Sequence, residues 1–196
     1  KCFARGLAAL FALAMLQTAA PAEEPLRAAT YNIRFLSSQT TNCSGLEFED
    51  VRSQGERLDH LREVVQKLDA DIIGLQEIHD RAALELLFPP SDWVIAFDDD
   101  TQDCLNLAAV VRKPLDIIGA ANGALNAGAE HFLFEDASET YFPGARDVLA
   151  VEVTGPSLEE SIHVFVHHAK SRSGGRHTTA PRRIGAAQEI LQILAA

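Results

Sequence analysis

The stretch DADIIGLQEIHD, residues 69–80, is the strongest single constraint on how this chain can fold. Ile72, Ile73, Gly74 and Leu75 form an unbroken apolar run, which marks a strand covered on both faces rather than one with a wet side. Such a strand needs a layered α/β architecture around it. The run stops on Gln76 and Glu77, with His79 and Asp80 just behind. A carboxylate at the end of a buried strand is costly unless something engages it.

The preceding segments set the scene for Glu77. LRAATYNIRFL (26–36) reads as a strand, with Leu26, Ala28 and Thr30 on one face and Asn32 following in step. Ser37 to Glu49 is polar and irregular. SQGERLDHLREVVQKL reads as a helix: Ser53 and Glu56 have capping-box spacing, and Leu58, Leu61, Val64, Val65 and Leu68 make one apolar stripe. Strand, helix, strand over this length predicts a parallel, right-handed crossover. Asn32 and Glu77 then fall at the carboxyl ends of two strands on one sheet edge, where open α/β sheets usually bind ligands. A carboxylate and an amide oxygen are hard donors suited to Mg²⁺ or Mn²⁺. A Glu77 that caps a helix or pairs with an arginine would fit the same sequence.

Further strands are expected over 93–97 (WVIAF), 105–113 (LNLAAVVRK) and 147–153 (DVLAVEV). In residues 162–168, Ile162, Val164, Val166 and His168 share one face, while His163, Phe165 and His167 share the other. His168 therefore ends the buried face and emerges beside Lys170, Arg172, Arg176, Arg182 and Arg183. No acidic residue occurs from Ser161 to Gln188, although the chain carries a net charge of −11. Such a chain is no general polyanion binder, and a phosphate substrate would need this basic loop, a metal ion, or both.

The amino terminus differs in kind. Residues 1–22 combine Lys1 and Arg5, an apolar run from Leu7 to Leu16, and small residues ending Ala20-Pro21-Ala22. That layout is expected of a removable secretory signal peptide, and the run is too short to span a bilayer. Cleavage would leave a secreted or periplasmic chain from residue 23 with no stable membrane association. Cys43 and Cys104 would be its only cysteines, and an oxidising compartment favours their pairing over two free buried thiols. Asp98, Asp99, Asp100 and Asp103 could hold a structural Ca²⁺, although a solvated turn explains them as well. No obligate protein partner is implied.

ATYNIRFL, DADIIGLQEI and VFVHHAKSRSGG, in this order and spacing, resemble the endonuclease/exonuclease/phosphatase superfamily of deoxyribonuclease-like hydrolases, and within it the secreted bacterial endonuclease-like members. Such members often carry His-Leu-Lys-Ser where this chain has His168-Ala169-Lys170-Ser171. The resemblance covers residues 26–196. It implies an α/β fold, a four-layered α/β sandwich of two packed β-sheets flanked by helices. It also implies metal-dependent hydrolysis of phosphate esters, with nucleic acid or another phosphodiester as substrate. Glu77 would be the principal metal-binding and catalytic carboxylate, Asn32 its partner at the Mg²⁺ or Mn²⁺ site, and His168 the catalytic histidine. Arg146, Lys170 and Arg172 would contact substrate phosphate.

The family's later Gly-Asp-Phe-Asn and Asp-His steps do not occur here, and the chain stops in RRIGAAQEILQILAA, which reads as a helix. Together with a start at Lys1, this predicts a fragment covering the domain's amino-terminal two-thirds, incomplete at its carboxyl end. Alone it would be inactive and prone to association. Two readings follow for the parent protein: an exported metal-dependent endonuclease, or a family-fold module that binds anions or a partner without catalysis. Sphingomyelinase-like and inositol-phosphatase-like hydrolases share the same motifs.

Overall fold

The computed structural model describes residues 25–98, 104–118, 129–132, 148–169 and 171–194. The expected signal peptide lies outside them. In chain order the elements are β1 (Ala28–Leu36), β2 (Thr41–Cys43), β3 (Leu46–Phe48), a 3₁₀ turn (Val51–Ser53), α1 (Arg57–Leu68) and β4 (Ile72–Ile78). There follow α2 (Arg81–Leu87), β5 (Trp93–Phe97), β6 (Asn106–Arg112), β7 (Asp116–Ile117), β8 (Ala129–Phe132), β9 (Val148–Thr154), β10 (Ile162–His167) and α3 (Arg176–Leu194).

Two sheets form. The first has the order β1-β4-β6-β5, with β1 and β4 parallel, as the strand–helix–strand reading required. The second has the order β10-β9-β7, with β8 also pairing β9. Period-two alternation sorts the side chains into three cores, and these define four layers. Ile73, Leu75, Ala108 and Val110 of the first sheet pack against Leu61 and Val65 of α1 and Leu84 and Leu87 of α2. On the opposite face, Ile72, Leu107, Ala109 and Val111 meet Leu149, Val151, Val153 and Val166 of the second sheet. Beyond it, Val148 and Phe165 pack on Ala186 and Ile190 of α3. The sequence is therefore a four-layered α/β sandwich.

Gly74 governs how closely the sheets approach. A Cβ placed there would lie 3.2 Å from Cγ2 of Val166, tighter than ordinary contact. The absent side chain thus lets β4 and β10 come together three residues before Glu77 and two before His168.

Some local expectations are corrected. The core-facing residues of β1 are Ala29, Tyr31 and Ile33, whereas Leu26 is exposed and Ala28 and Thr30 face away from the helix layer. β1 is an edge strand, so its apolar alternation carried too little contrast to fix the phase. The Ser53–Glu56 capping box does not form. Asp50 instead accepts from the backbone N–H of Arg52 and starts the 3₁₀ turn, while Glu56 caps α1 without a side-chain bond. The Arg52 guanidinium beside Asp50 also holds that carboxyl below the usual carboxylate range. Within the supposedly irregular stretch, β2 and β3 form a hairpin. Ser44 and Gly45 both have positive φ, 50° and 81°, which suits the hand of a two-residue hairpin turn.

Helix α3 starts at Arg176, earlier than its sequence suggested. Gly174 and Gly175, at φ 96° and 92°, turn the chain, and Thr179 N–H then bonds to the Gly175 carbonyl at 3.1 Å. Pro181 lies inside the helix but near its start, where it removes one donor without ending the helix.

Cys43 and Cys104 form a disulfide with a Cα–Cα distance of 5.7 Å. It ties the β2–β3 hairpin to the segment leading into β6, and closes a separation of 61 residues. A loop of that size is worth about 4 kcal/mol in the chain-entropy account.

Candidate active site

Strict alternation along β4 creates a problem at its end. Ile73 and Leu75 point to the helix layer, so Glu77, next in that series, would drive a carboxylate into the α1/α2 core. A bulge prevents this. Gln76 pairs with Leu107 and Ile78 with Asn106, so two steps on β4 match one on β6, with Glu77 as the extra residue. Glu77 takes φ 64°, and Ile78 fills the core position in its place. The neighbouring strand breaks in step: after Asn32↔Gln76 the next pair is Leu36↔Ile78, and the intervening Arg34 and Phe35 have φ 58° and 57°. Arg57 of α1 braces that irregular turn by donating to the carbonyls of Ile33 and Arg34. Burial there pushes the Arg57 guanidinium pKa down.

Non-glycine residues at positive φ cost of the order of 1–2 kcal/mol each and persist where the surroundings enforce them. Here they aim a side chain. Glu77 Oε1 accepts from Asn32 Nδ2 at 2.9 Å and lies 3.3 Å from His168 Nε2. The Glu77 and His168 side chains are only 18% and 14% exposed, so this contact sits in a recess rather than on open surface. Asn32 turns its Oδ1 back to the Arg34 N–H at 2.9 Å, which orients the amide. Asn32, Glu77 and His168 thus converge from three strand ends belonging to both sheets.

The other singled-out residues lie apart or beyond view. Arg172 is exposed, beside Arg176 at the start of α3. Arg146, Lys170, Asp99, Asp100 and Asp103 lie outside the described residues; Asp98 is buried, with its N–H on the Leu107 carbonyl. Polar residues around the recess were missed by the sequence reading. Buried Gln76 donates to Thr30 Oγ1 at 3.0 Å. Buried Asn106 donates to the His79 carbonyl at 3.3 Å, while its Oδ1 finds no partner among the described residues. Asp80 caps α2 through the Ala83 N–H and also accepts from Ser37 and Ser38. The signal for Gln76 and Asp80 was their nearness to Glu77 in the sequence, while Asn106 opens β6 opposite Ile78.

The donor chemistry fits a hard divalent cation. Among the described residues no group of three His, Cys, Asp or Glu side chains gathers to hold a metal. Glu77 supplies the single carboxylate that Mg²⁺ can accept, because that ion keeps several waters and uses few protein ligands. Asn32, by contrast, turns its Nδ2 to Glu77 and its Oδ1 to Arg34, and is set to orient the carboxylate rather than to ligate.

A four-layered sandwich thus carries a carboxylate, an imidazole and an amide between the ends of its two sheets. The chain matches the model of the Endonuclease/Exonuclease/phosphatase family over residues 29–194, and it belongs to that family. Among solved structures, D. rerio TDP2 complexed with a single-strand DNA product is similar at 15% identity and a TM-score of 0.56, covering 87% of this chain and 54% of that one. A Bacteroides thetaiotaomicron mannosyl-6-phosphatase is similar at 19% identity and a TM-score of 0.54, covering 87% of this chain and 60% of that one. At these identities the likeness carries the fold alone. The chain spans little more than half the length of these structures. No curated protein matches it.

Proposed function

We propose that this chain belongs to an exported, divalent-metal-dependent phosphodiesterase acting on nucleic acid, with residues 1–22 as a removable leader and residues 23–196 in the catalytic domain. The observation that carries the proposal is the bulge at Glu77, which turns a carboxylate out of the core and onto His168 and Asn32. The Cys43–Cys104 disulfide supports an oxidising destination, secreted or periplasmic.

Glu77 is the residue that would hold Mg²⁺ or Mn²⁺, with Asn32 fixing its carboxylate from the side. The bound ion would polarise phosphoryl oxygens and neutralise their charge. His168, facing the same carboxylate oxygen, can carry a proton on Nε2 and donate it to a phosphoryl oxygen as charge develops there. Arg146, Lys170 and Arg172 would meet neighbouring phosphate oxygens as permanent or near-permanent cations.

The test is Mg²⁺-dependent nicking of plasmid DNA and hydrolysis of a chromogenic phosphodiester by the protein expressed from its complete reading frame. Activity that Glu77→Gln removes and that chelation abolishes is the expected result. A protein without such activity, yet retaining anion binding, would make it a non-catalytic module of the same fold.

A further inference from the structure

The basic loop after His168 does more than surround the recess. Arg172, Arg176 and Arg183 line a groove of about 400 Å³ whose floor is Ala180, Ile184 and Ala187 of α3. Arg183 donates from Nη1 to Thr179 Oγ1 at 2.8 Å, which fixes its guanidinium along the helix. Among the described residues none of the three arginines pairs with a carboxylate, and the surrounding sequence from Ser161 to Gln188 contains no acid. Three cations drawn to one concavity repel one another, and in a chain of net charge −11 such a cluster is not explained by general basicity. An anion seated between them would relieve the repulsion.

We propose that this groove is a second binding site, taking a flanking phosphate and the adjoining nucleoside of a single nucleic-acid strand whose scissile phosphate occupies the Glu77–His168 recess. The identity of the ligand rests on the phosphodiesterase reading above. Reach permits it. Arg172 follows His168 by four residues, so their Cα atoms lie within about 14 Å of each other, the span of roughly four nucleotides at duplex rise. The chemistry also fits. Guanidinium planes bind phosphate oxygens in pairs and stack on bases, and a floor of small apolar residues leaves room for a base or sugar face. A lipid surface fits less well. Ile184 and Leu191 are 58% and 64% exposed, but the site is concave and its floor is mostly alanine.

The test measures binding without catalysis, using fluorescence anisotropy of a labelled single-stranded oligonucleotide in EDTA across a salt series, with the protein from its complete reading frame. Arg176→Gln combined with Arg183→Gln should weaken binding about tenfold. It should also flatten the slope of log affinity against log salt by about 1.4, near 0.7 for each lost phosphate contact. The pair Arg176→Lys and Arg183→Lys should keep the slope, because the charges persist. Unchanged affinity and slope in the glutamine pair would overturn the proposal. So would an equal flattening of the slope in the lysine pair, whose charges persist, because it would mean a structural effect. Binding to phosphatidylglycerol vesicles that the glutamine pair loses, with oligonucleotide binding intact, would assign the groove to membranes instead. Because no hydrolysis is read, a result here stands apart from the fate of Glu77→Gln.

Discussion

The two ends of the first sheet are built on opposite plans. At the amino ends of β1 and β4, charges answer one another. Arg27 pairs with Asp69 and donates its backbone N–H to Asp71, while Arg112 reaches the Ala70 carbonyl and lies over the Trp93 ring. Two arginines meet two aspartates where the strands begin, and the result is a satisfied, half-exposed network whose one left-handed residue, Asp69 at φ 43°, ends α1. At the carboxyl ends the strands break pattern. Three residues take left-handed backbone, and one carboxylate is shared between an amide and an imidazole. Where charge serves the fold, the strands keep their register; at the other end they slip register and turn left-handed, and one side chain is aimed as a result.

The comparison can be broken most sharply with matched charge removals. Glu77→Gln should lower turnover about a hundredfold to a thousandfold, as expected when the ion that would stabilise transition-state charge loses its charged ligand. Asp71→Asn at the other end should leave turnover near the parent value and cost less than about 1 kcal/mol of stability, since partly exposed pairs are weak. Steady-state kinetics and thermal melts on both variants decide it; a large catalytic loss in Asp71→Asn would erase the distinction.

Next in size is the disulfide. Cys43→Ser with Cys104→Ser should destabilise by up to about 4 kcal/mol, read by denaturant unfolding with and without reductant. The parent should respond to reductant and the double variant should not. Gly74→Ala should then cost about 1–3 kcal/mol, because its Cβ meets Val166 across the sheets. It should also reduce activity by shifting His168, which Asp71→Asn cannot do. The finest test concerns strain itself. Glu77→Gly and Glu77→Ala both lose the carboxylate, but glycine accepts φ 64° freely, so the glycine variant should be more stable by about 1 kcal/mol. Equal stabilities would mean that the bulge relaxes on substitution and stores nothing.

Much of this was legible in the residues. The apolar run of β4, the stripe of α1 and the strand ending on His168 depend on local periodicity, and each stands where the pattern put it. The Cys43–Cys104 pairing followed from export logic and is present. The convergence of Asn32 and Glu77 was reached by a shorter route than the real one. Parallel pairing does bring their strand ends together, but plain alternation would have buried Glu77 under α1 and α2. Only a register shift against β6, a non-local pairing, turns it outward. The same limit hid the α3 start, where two left-handed glycines and a tolerated proline look like loop. It hid the Asp50 cap too, since Ser53 and Glu56 offered an equally good local pattern.

The close approach at Gly74 and Val166 has a mechanical consequence. Because Glu77 and His168 descend from different sheets, their separation of 3.3 Å depends on the thickness of the apolar filling between those sheets as well as on the bulge that aims Glu77. That filling acts as a shim. Trimming Leu107 or Leu149, well removed from the chemistry, would alter the gap between carboxylate and imidazole while leaving both groups intact, and hydrostatic pressure, acting through the compressibility of the same layer, would move them without any mutation at all.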